Sequence, residues 1–241
     1  EDGIRHTLYV IADEAAIAEI TRLFAEVPVL YIADGHHRSA AAMRVADAMK
    51  ERPGHTGEEE YNYFLAVIFP DNMMCILDYN RVVKDLCGRS EAEFLEKIQE
   101  KFVVEKNTGE QKKPAKLHQF GMYLAGKWYN LTAKSEIYDD NDPVGCLDVT
   151  VLQENLLAPL LGINDPRTDE RIAFIGGIRG LGELEKKVNS GEYKVAFAMY
   201  PTSMEQLMEI ADSGMIMPPK STWFEPKLRD AMVVHLIGDD I

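Results

Sequence analysis

Asp34-Gly35-His36-His37-Arg38 puts a carboxylate, a glycine, two imidazoles and a guanidinium in five consecutive positions. An apolar run, Val29 to Ala33, precedes it and an alanine-rich run from Ser39 to about Met49 follows. Read as strand, glycine turn and helix, the junction gathers unpaired backbone N–H groups at one point, which makes an anion site. Helix N-termini favour acidic side chains, yet this helix opens on cations. A bound phosphate is the simplest compensation, with Gly35 and Arg38 holding it, His36 and His37 as proton donors or acceptors, and Asp34 as catalytic carboxylate or Mg²⁺ ligand. The bland alternative is an ordinary polar turn in which Arg38 pairs with a nearby acid.

Two further segments carry similar chemistry. Asp165-Pro166-Arg167-Thr168-Asp169-Glu170-Arg171 leads through Ile172–Ile175 to Gly176-Gly177-Ile178-Arg179-Gly180. Paired glycines let backbone approach a ligand, and Arg167, Arg171 and Arg179 offer forked recognition of oxyanions. Pairing of Arg167 and Arg171 with the acids beside them is the competing reading. Met217-Pro218-Pro219-Lys220-Ser221-Thr222 is stiffened by its prolines and is expected to present an ammonium and two hydroxyls, from Lys220, Ser221 and Thr222, as phosphate contacts. No Gly-x-x-x-x-Gly precedes the Lys-Ser-Thr, so it is not a Walker A loop, and no Gly-x-Ser-x-Gly elbow supports a hydrolase.

The elements that must position these groups follow from periodicity and punctuation. Residues 6–12 and 29–33 read as strands, and Asp13-Glu14 starts a helix through Phe24. Tyr63 to Phe69 and Met74 to Tyr79 read as an antiparallel pair turned at Pro70-Asp71-Asn72. Ser90 caps a helix to Phe102, 106–116 is an exposed connection, and Met122 to Leu131 is a hairpin tipped by Ala125-Gly126-Lys127. A helix follows over about Leu147 to Leu161. Ile172–Ile175, Leu181–Val188, Val195–Tyr200, Met204–Asp212 and Ala231–Ile237 continue the alternation. The expectation is one α+β domain over 1–241, a mixed sheet flanked by helices.

Charge narrows the partners. With 26 basic against 40 acidic residues, the chain of 241 residues carries a formal charge of −14, which argues against nucleic acid and anionic membranes and for a small anionic ligand. Cys75, Cys87 and Cys146 are scattered, which fits neither disulfides nor a thiolate zinc site and points to the cytoplasm. No run is long and apolar enough to span a bilayer. Nothing in the pattern sets the oligomeric state.

Taken in order, Ile32 to Arg38, Asp165 to Gly177 and Met217 to Lys227 resemble the I-A-D-G-H-H-R, D-x-R-T-D-x-R-I-x-F-x-G-G and M-P-P-K-S-T-x-F-x-P-K segments of the family known as the domain of unknown function 1015. Many relatives carry tyrosine where this chain has Ser39. That resemblance, and a start at Glu1 without methionine, imply the C-terminal portion of a longer chain. The D-G-H-H-R turn is also similar to the nucleotide-binding turn of the ParB/sulfiredoxin-like fold, which includes free-serine kinases. It implies a phosphotransferase using ATP or ADP with Mg²⁺ on a small hydroxyl metabolite such as serine. A non-catalytic sensor of a nucleotide or phosphorylated metabolite is the alternative.

Overall fold

The computed structural model describes residues 3, 5–106, 113–228 and 232–238. Two helices come first, α1 (Glu14–Ala25) and α2 (His36–Lys50). Asp13 caps α1 by accepting the Ala16 N–H at 2.8 Å, whereas α2 starts from Gly35 at φ 82°, with no side-chain cap. The remaining elements are β1 (Cys75–Leu77), β2 (Tyr79–Val83), α3 (Glu91–Ile98), β3 (Phe102–Lys106), β4 (Gln119–Leu124), β5 (Lys127–Ala133), α4 (Asp148–Leu152), α5 (Ala158–Leu161), β6 (Ile172–Gly176), α6 (Leu181–Asn189), β7 (Val195–Ala198), α7 (Met204–Asp212) and β8 (Trp223–Glu225). A π-type turn, Gln153–Leu157, makes α4 and α5 one continuous rod.

Six strands form the main sheet in the order β3-β5-β4-β7-β2-β6, and β1 pairs with β8 in a separate ladder. Each of these pairings is antiparallel. Side chains alternate across the sheet as the pleat requires. Val83, Met122, Val195 and Phe197 face α3 and the α4–α5 rod, while Val82, Tyr123, Ala196 and Ala198 face α6. Helices on both faces of one sheet give an α+β fold. A third, smaller cluster, Ile76, Leu207 and Phe224, gathers β1, α7 and β8, and Ala33 packs against it. That contact seats the turn at Asp34 beside the segment after Met217.

Ser90 and Glu93 form a reciprocal cap on α3, and Ala125-Gly126 turns the β4–β5 hairpin, as their sequences predict. The strands expected at 6–12, 29–33 and 63–69 are not formed. Apolar, β-branched composition favours extended chain, but a strand exists only where a neighbour completes its ladder. These segments lie on neither edge of the sheet, and Val10 and Leu30 stay exposed. The expected Met74–Tyr79 strand is divided between β1 and β2, in separate sheets. Residues 107–112 of the 106–116 connection and Ala231 of the last expected element lie outside the described residues; 232–237 form neither helix nor strand. Among the described residues no helix is long and apolar enough to cross a membrane.

Candidate functional site

The first turn of α2 is built as an anion site would be. Gly35 takes the left-handed backbone that joins Asp34 to the helix, and no acid occupies the first turn. His36 and His37 are exposed, and the Arg38 guanidinium lies back over Gly35, where a Cβ would be 3.7 Å from Nε. Asp34 Oδ1 accepts the Gly35 N–H at 2.8 Å and Oδ2 accepts Lys227 Nζ at 2.8 Å. Lys227 above all, then the Gly35 N–H and the Arg38 charge, holds the Asp34 carboxyl below the usual range against a smaller opposing effect of burial. The first and third segments therefore meet at this carboxylate.

The second and third segments meet on β2. A Cβ at Gly176 would lie 2.7 Å from the Trp223 ring, and one at Gly177 would overlap the Asp78 carboxylate. The room the glycines leave is taken by protein groups, an indole and an acid, rather than by open space. Tyr79 packs edge-on against Trp223 at 5.3 Å, and Lys220 Nζ lies 5.6 Å above the Tyr79 ring. Lys220 has φ 58°, and Arg81 Nη2 donates to its carbonyl at 3.0 Å. Ser221 corrects one expectation: it is buried, and its hydroxyl turns inward to donate to the Pro218 carbonyl at 2.6 Å. Thr222 is half-buried. Arg179 is exposed in the turn Gly177–Arg179, without a partner among the described residues.

Arg167 and Arg171 lie elsewhere. Arg167 forks onto Asp165 at 2.9 Å through both Nε and Nη2. Arg171 forks onto Asp169 and also donates to the Leu161 and Gly162 carbonyls at 3.0 and 3.1 Å, which closes the end of α5. Both precede Ile172, whereas Gly177 follows Gly176 at the opposite end of β6, about 20 Å away along the strand. The structure thus brings together the turn at 34–38, the glycine pair and the 217–227 segment, but not these two arginines.

Sequence reasoning missed a further group at the start of β2. Asp78 is buried, receives Asn80 Nδ2 at 2.6 Å and Lys113 Nζ at 2.9 Å, and accepts the Gly177 N–H on its carbonyl at 2.7 Å. Asn80 Oδ1 accepts the Met199 N–H at 2.8 Å. Arg81 is buried, donates to the Tyr79 carbonyl as well as to Lys220, and sits 5.5 Å from the Phe174 ring; burial lowers its pKa to about 10. The signal was present as three polar residues, Asp78, Asn80 and Arg81, inside an apolar run. Among the described residues no three His, Cys, Asp or Glu side chains cluster as metal ligands.

Comparison with solved structures finds distant likenesses. A glutamate-substituted variant of free serine kinase in complex with AMP aligns over 80% of this chain and 66% of its own, at 17% identity and TM-score 0.42. Free serine kinase in complex with AMP aligns over 89% and 81%, at 15% identity and TM-score 0.40. A conserved hypothetical protein from Pyrococcus furiosus aligns over 80% and 68%, at 15% identity and TM-score 0.41. No curated protein matches the chain. The family described as protein of unknown function (DUF1015) matches residues 1–150, which include the D-G-H-H-R turn, and the chain belongs to that family.

Proposed function

We propose that the chain is a nucleotide- and phosphate-binding enzyme, a phosphotransferase acting on a small hydroxyl metabolite. Free serine is the specific candidate, implied by the resemblance of the D-G-H-H-R turn to that of the ParB/sulfiredoxin-like fold. The observation that carries the reading is the start of α2: a left-handed glycine, no side-chain cap, no acid in the first turn, and two imidazoles with a guanidinium instead. The N–H groups at the start of α2 and the Arg38 charge neutralise the phosphates of ATP or ADP, and His36 or His37 donates to a phosphate oxygen. Asp34, kept ionised, aligns the acceptor hydroxyl. Lys220 and Arg179 supply cations from the neighbouring segments, whereas Arg167 and Arg171 hold the fold. Phosphoryl transfer depends on positioning and charge stabilisation, which is what such groups provide.

Mg²⁺ fits as a companion of the nucleotide. It favours one or two carboxylates plus substrate phosphates, and Asp34 keeps lone pairs beyond the two it uses on Gly35 and Lys227. When bound it neutralises phosphate charge. One observation favours a second reading, a non-catalytic sensor: Lys227 already neutralises the acid at the turn.

Calorimetry with ATP, ADP and inorganic phosphate, with and without Mg²⁺, tests the binding step. Arg38→Ala should weaken each phosphate ligand by roughly ten- to a hundredfold, the loss of one charge-assisted contact. Equal binding by both proteins removes Arg38 from the site. Phosphoserine formed from L-serine and ATP or ADP supports the enzyme; tight nucleotide binding without product from a panel of hydroxyl metabolites supports the sensor.

A further inference from the structure

A half-open groove of about 230 Å³ runs along one stripe of α2, lined by Ser39, Ala42, Met43 and Ala46 and, from the following segment, by Tyr61, Asn62, Tyr63 and Phe64. Ser39 stands one turn after Gly35, its N–H on the Gly35 carbonyl at 2.9 Å, so the slot begins where the phosphate turn ends. From Ser39 to Ala46 it runs about 10 Å along the helix. Ser39, Ala42 and Ala46 keep the floor shallow, with Met43 beside them. Tyr61 is fixed in place, its hydroxyl 2.9 Å from His55 Nδ1 and its ring stacked on His55 at 5.9 Å.

We propose that this slot takes the base of the nucleotide whose phosphates rest on the Gly35 turn. The inference builds on the phosphate-binding reading above and adds a ligand subsite to it. Pockets that enclose a whole small-molecule ligand measure about 300–1,000 Å³, so this one suits a single ring system rather than an entire nucleotide. The aromatic lining of Tyr61, Tyr63 and Phe64 favours a planar, π-faced ligand. Asn62 adds one polar contact. Its Nδ2 donates to the Glu59 carbonyl at 3.0 Å and to Glu59 Oε2 at 3.1 Å, while its Oδ1 accepts nothing among the described residues.

The test compares ADP with inorganic pyrophosphate on the full chain. Ala42→Leu and Ala46→Leu fill the slot while leucine keeps helix propensity. Each should lower ADP affinity by about tenfold or more, the share expected of a stacked base, and leave pyrophosphate affinity unchanged. Unchanged ADP affinity in both variants, with Arg38→Ala still weakening ADP and pyrophosphate alike, overturns the slot and leaves the phosphate site standing. Wild type that binds neither ligand overturns both. Should a variant fail to fold, NMR of wild type decides: backbone amides of 39–46 and 61–64 should shift with ADP and not with pyrophosphate. Equal shifts with the two ligands, or none with ADP, defeat the proposal.

Discussion

Lys227 Nζ lies 2.8 Å from Asp34 Oδ2, which ties the last lysine of the Pro-rich segment to the acid that opens the α2 turn, 193 residues earlier. The same ammonium sits 5.5 Å from the Trp223 ring, and Trp223 fills the space over Gly176. One cation therefore joins all three segments that the sequence marks as anion-binding. Its energetic weight is modest, since the two side chains are 45% and 61% exposed.

For an exposed pair of this kind about 0–1 kcal/mol is expected, so Lys227→Met should cost no more than that at neutral pH. Because the Asp34 pKa is depressed in the fold, the contribution is present above the unfolded carboxylate value and is lost as pH falls through the folded one. Urea titrations of wild type and Lys227→Met should therefore differ at pH 7 and coincide in strong acid. A difference that survives acidification would mean that Lys227 acts through packing on Trp223 instead.

The glycine pair can be separated from its surroundings by single methyl groups. Gly177→Ala drives a Cβ into the Asp78 carboxylate, which Asn80 and Lys113 hold in place, and should destabilise by about 1–3 kcal/mol as an overpacked site. Gly182→Ala in α6, where a Cβ meets nothing within 4 Å, should stabilise by about 0.5–1 kcal/mol. Denaturant midpoints read both. Equal stability for Gly177→Ala and wild type would show that Asp78 can yield.

Arg81 offers a test of the loop before β8. Its two terminal nitrogens serve the Tyr79 and Lys220 carbonyls, and a lysine ammonium lacks that planar fork. Arg81→Lys should cost about 0.5–1.5 kcal/mol, since one part-buried acceptor loses its partner. It should also speed proteolysis within 217–222, where Arg81 donates to the carbonyl of Lys220, a residue in left-handed backbone. Unaltered cleavage there would mean that Pro218 and Pro219 alone set the loop.

Local signals carried the sequence reading furthest. Ser90 with Glu93, Asp13 with Ala16, and the Ala125-Gly126 tip act within a few residues, and each marks the element where it stands. The strands expected at 6–12, 29–33 and 63–69 required distant partners that composition cannot supply. At 165–171 the competing acids were in plain view, two residues before each arginine, and short-range pairing prevailed over a shared cradle. The contribution of β2 was obscured for a different reason. Asp78, Asn80 and Arg81 have meaning only once Met199, Lys220 and Gly177 are brought beside them.

His118 and Asp148 have pKa values that burial moves in opposite directions. Burial raises the Asp148 carboxyl to about 7, despite the His118 N–H at 2.8 Å and the Arg81 charge, and burial also lowers His118, against the pull of Asp140 at 3.6 Å. His118 Nδ1 lies 3.2 Å from Asp148 Oδ1, with its ring stacked on Tyr138 at 3.7 Å. A carboxyl with a raised folded pKa gives stability that is full below the unfolded value, about 4, and is lost as pH rises towards 7, by up to about 1.4 kcal/mol per pH unit. A histidine with a depressed pKa gives stability present above about 6.5 and lost as pH falls. Between pH 4 and 6.5 the two slopes oppose each other. Asp148→Asn should leave the histidine slope, so that stability rises as pH climbs towards about 6.5. His118→Asn, which tolerates the φ of 64° at that position, should leave the carboxyl slope, so that stability falls. Chemical denaturation across pH 4–7 measures both, and parallel profiles for the two variants would show that neither group sets the pH dependence.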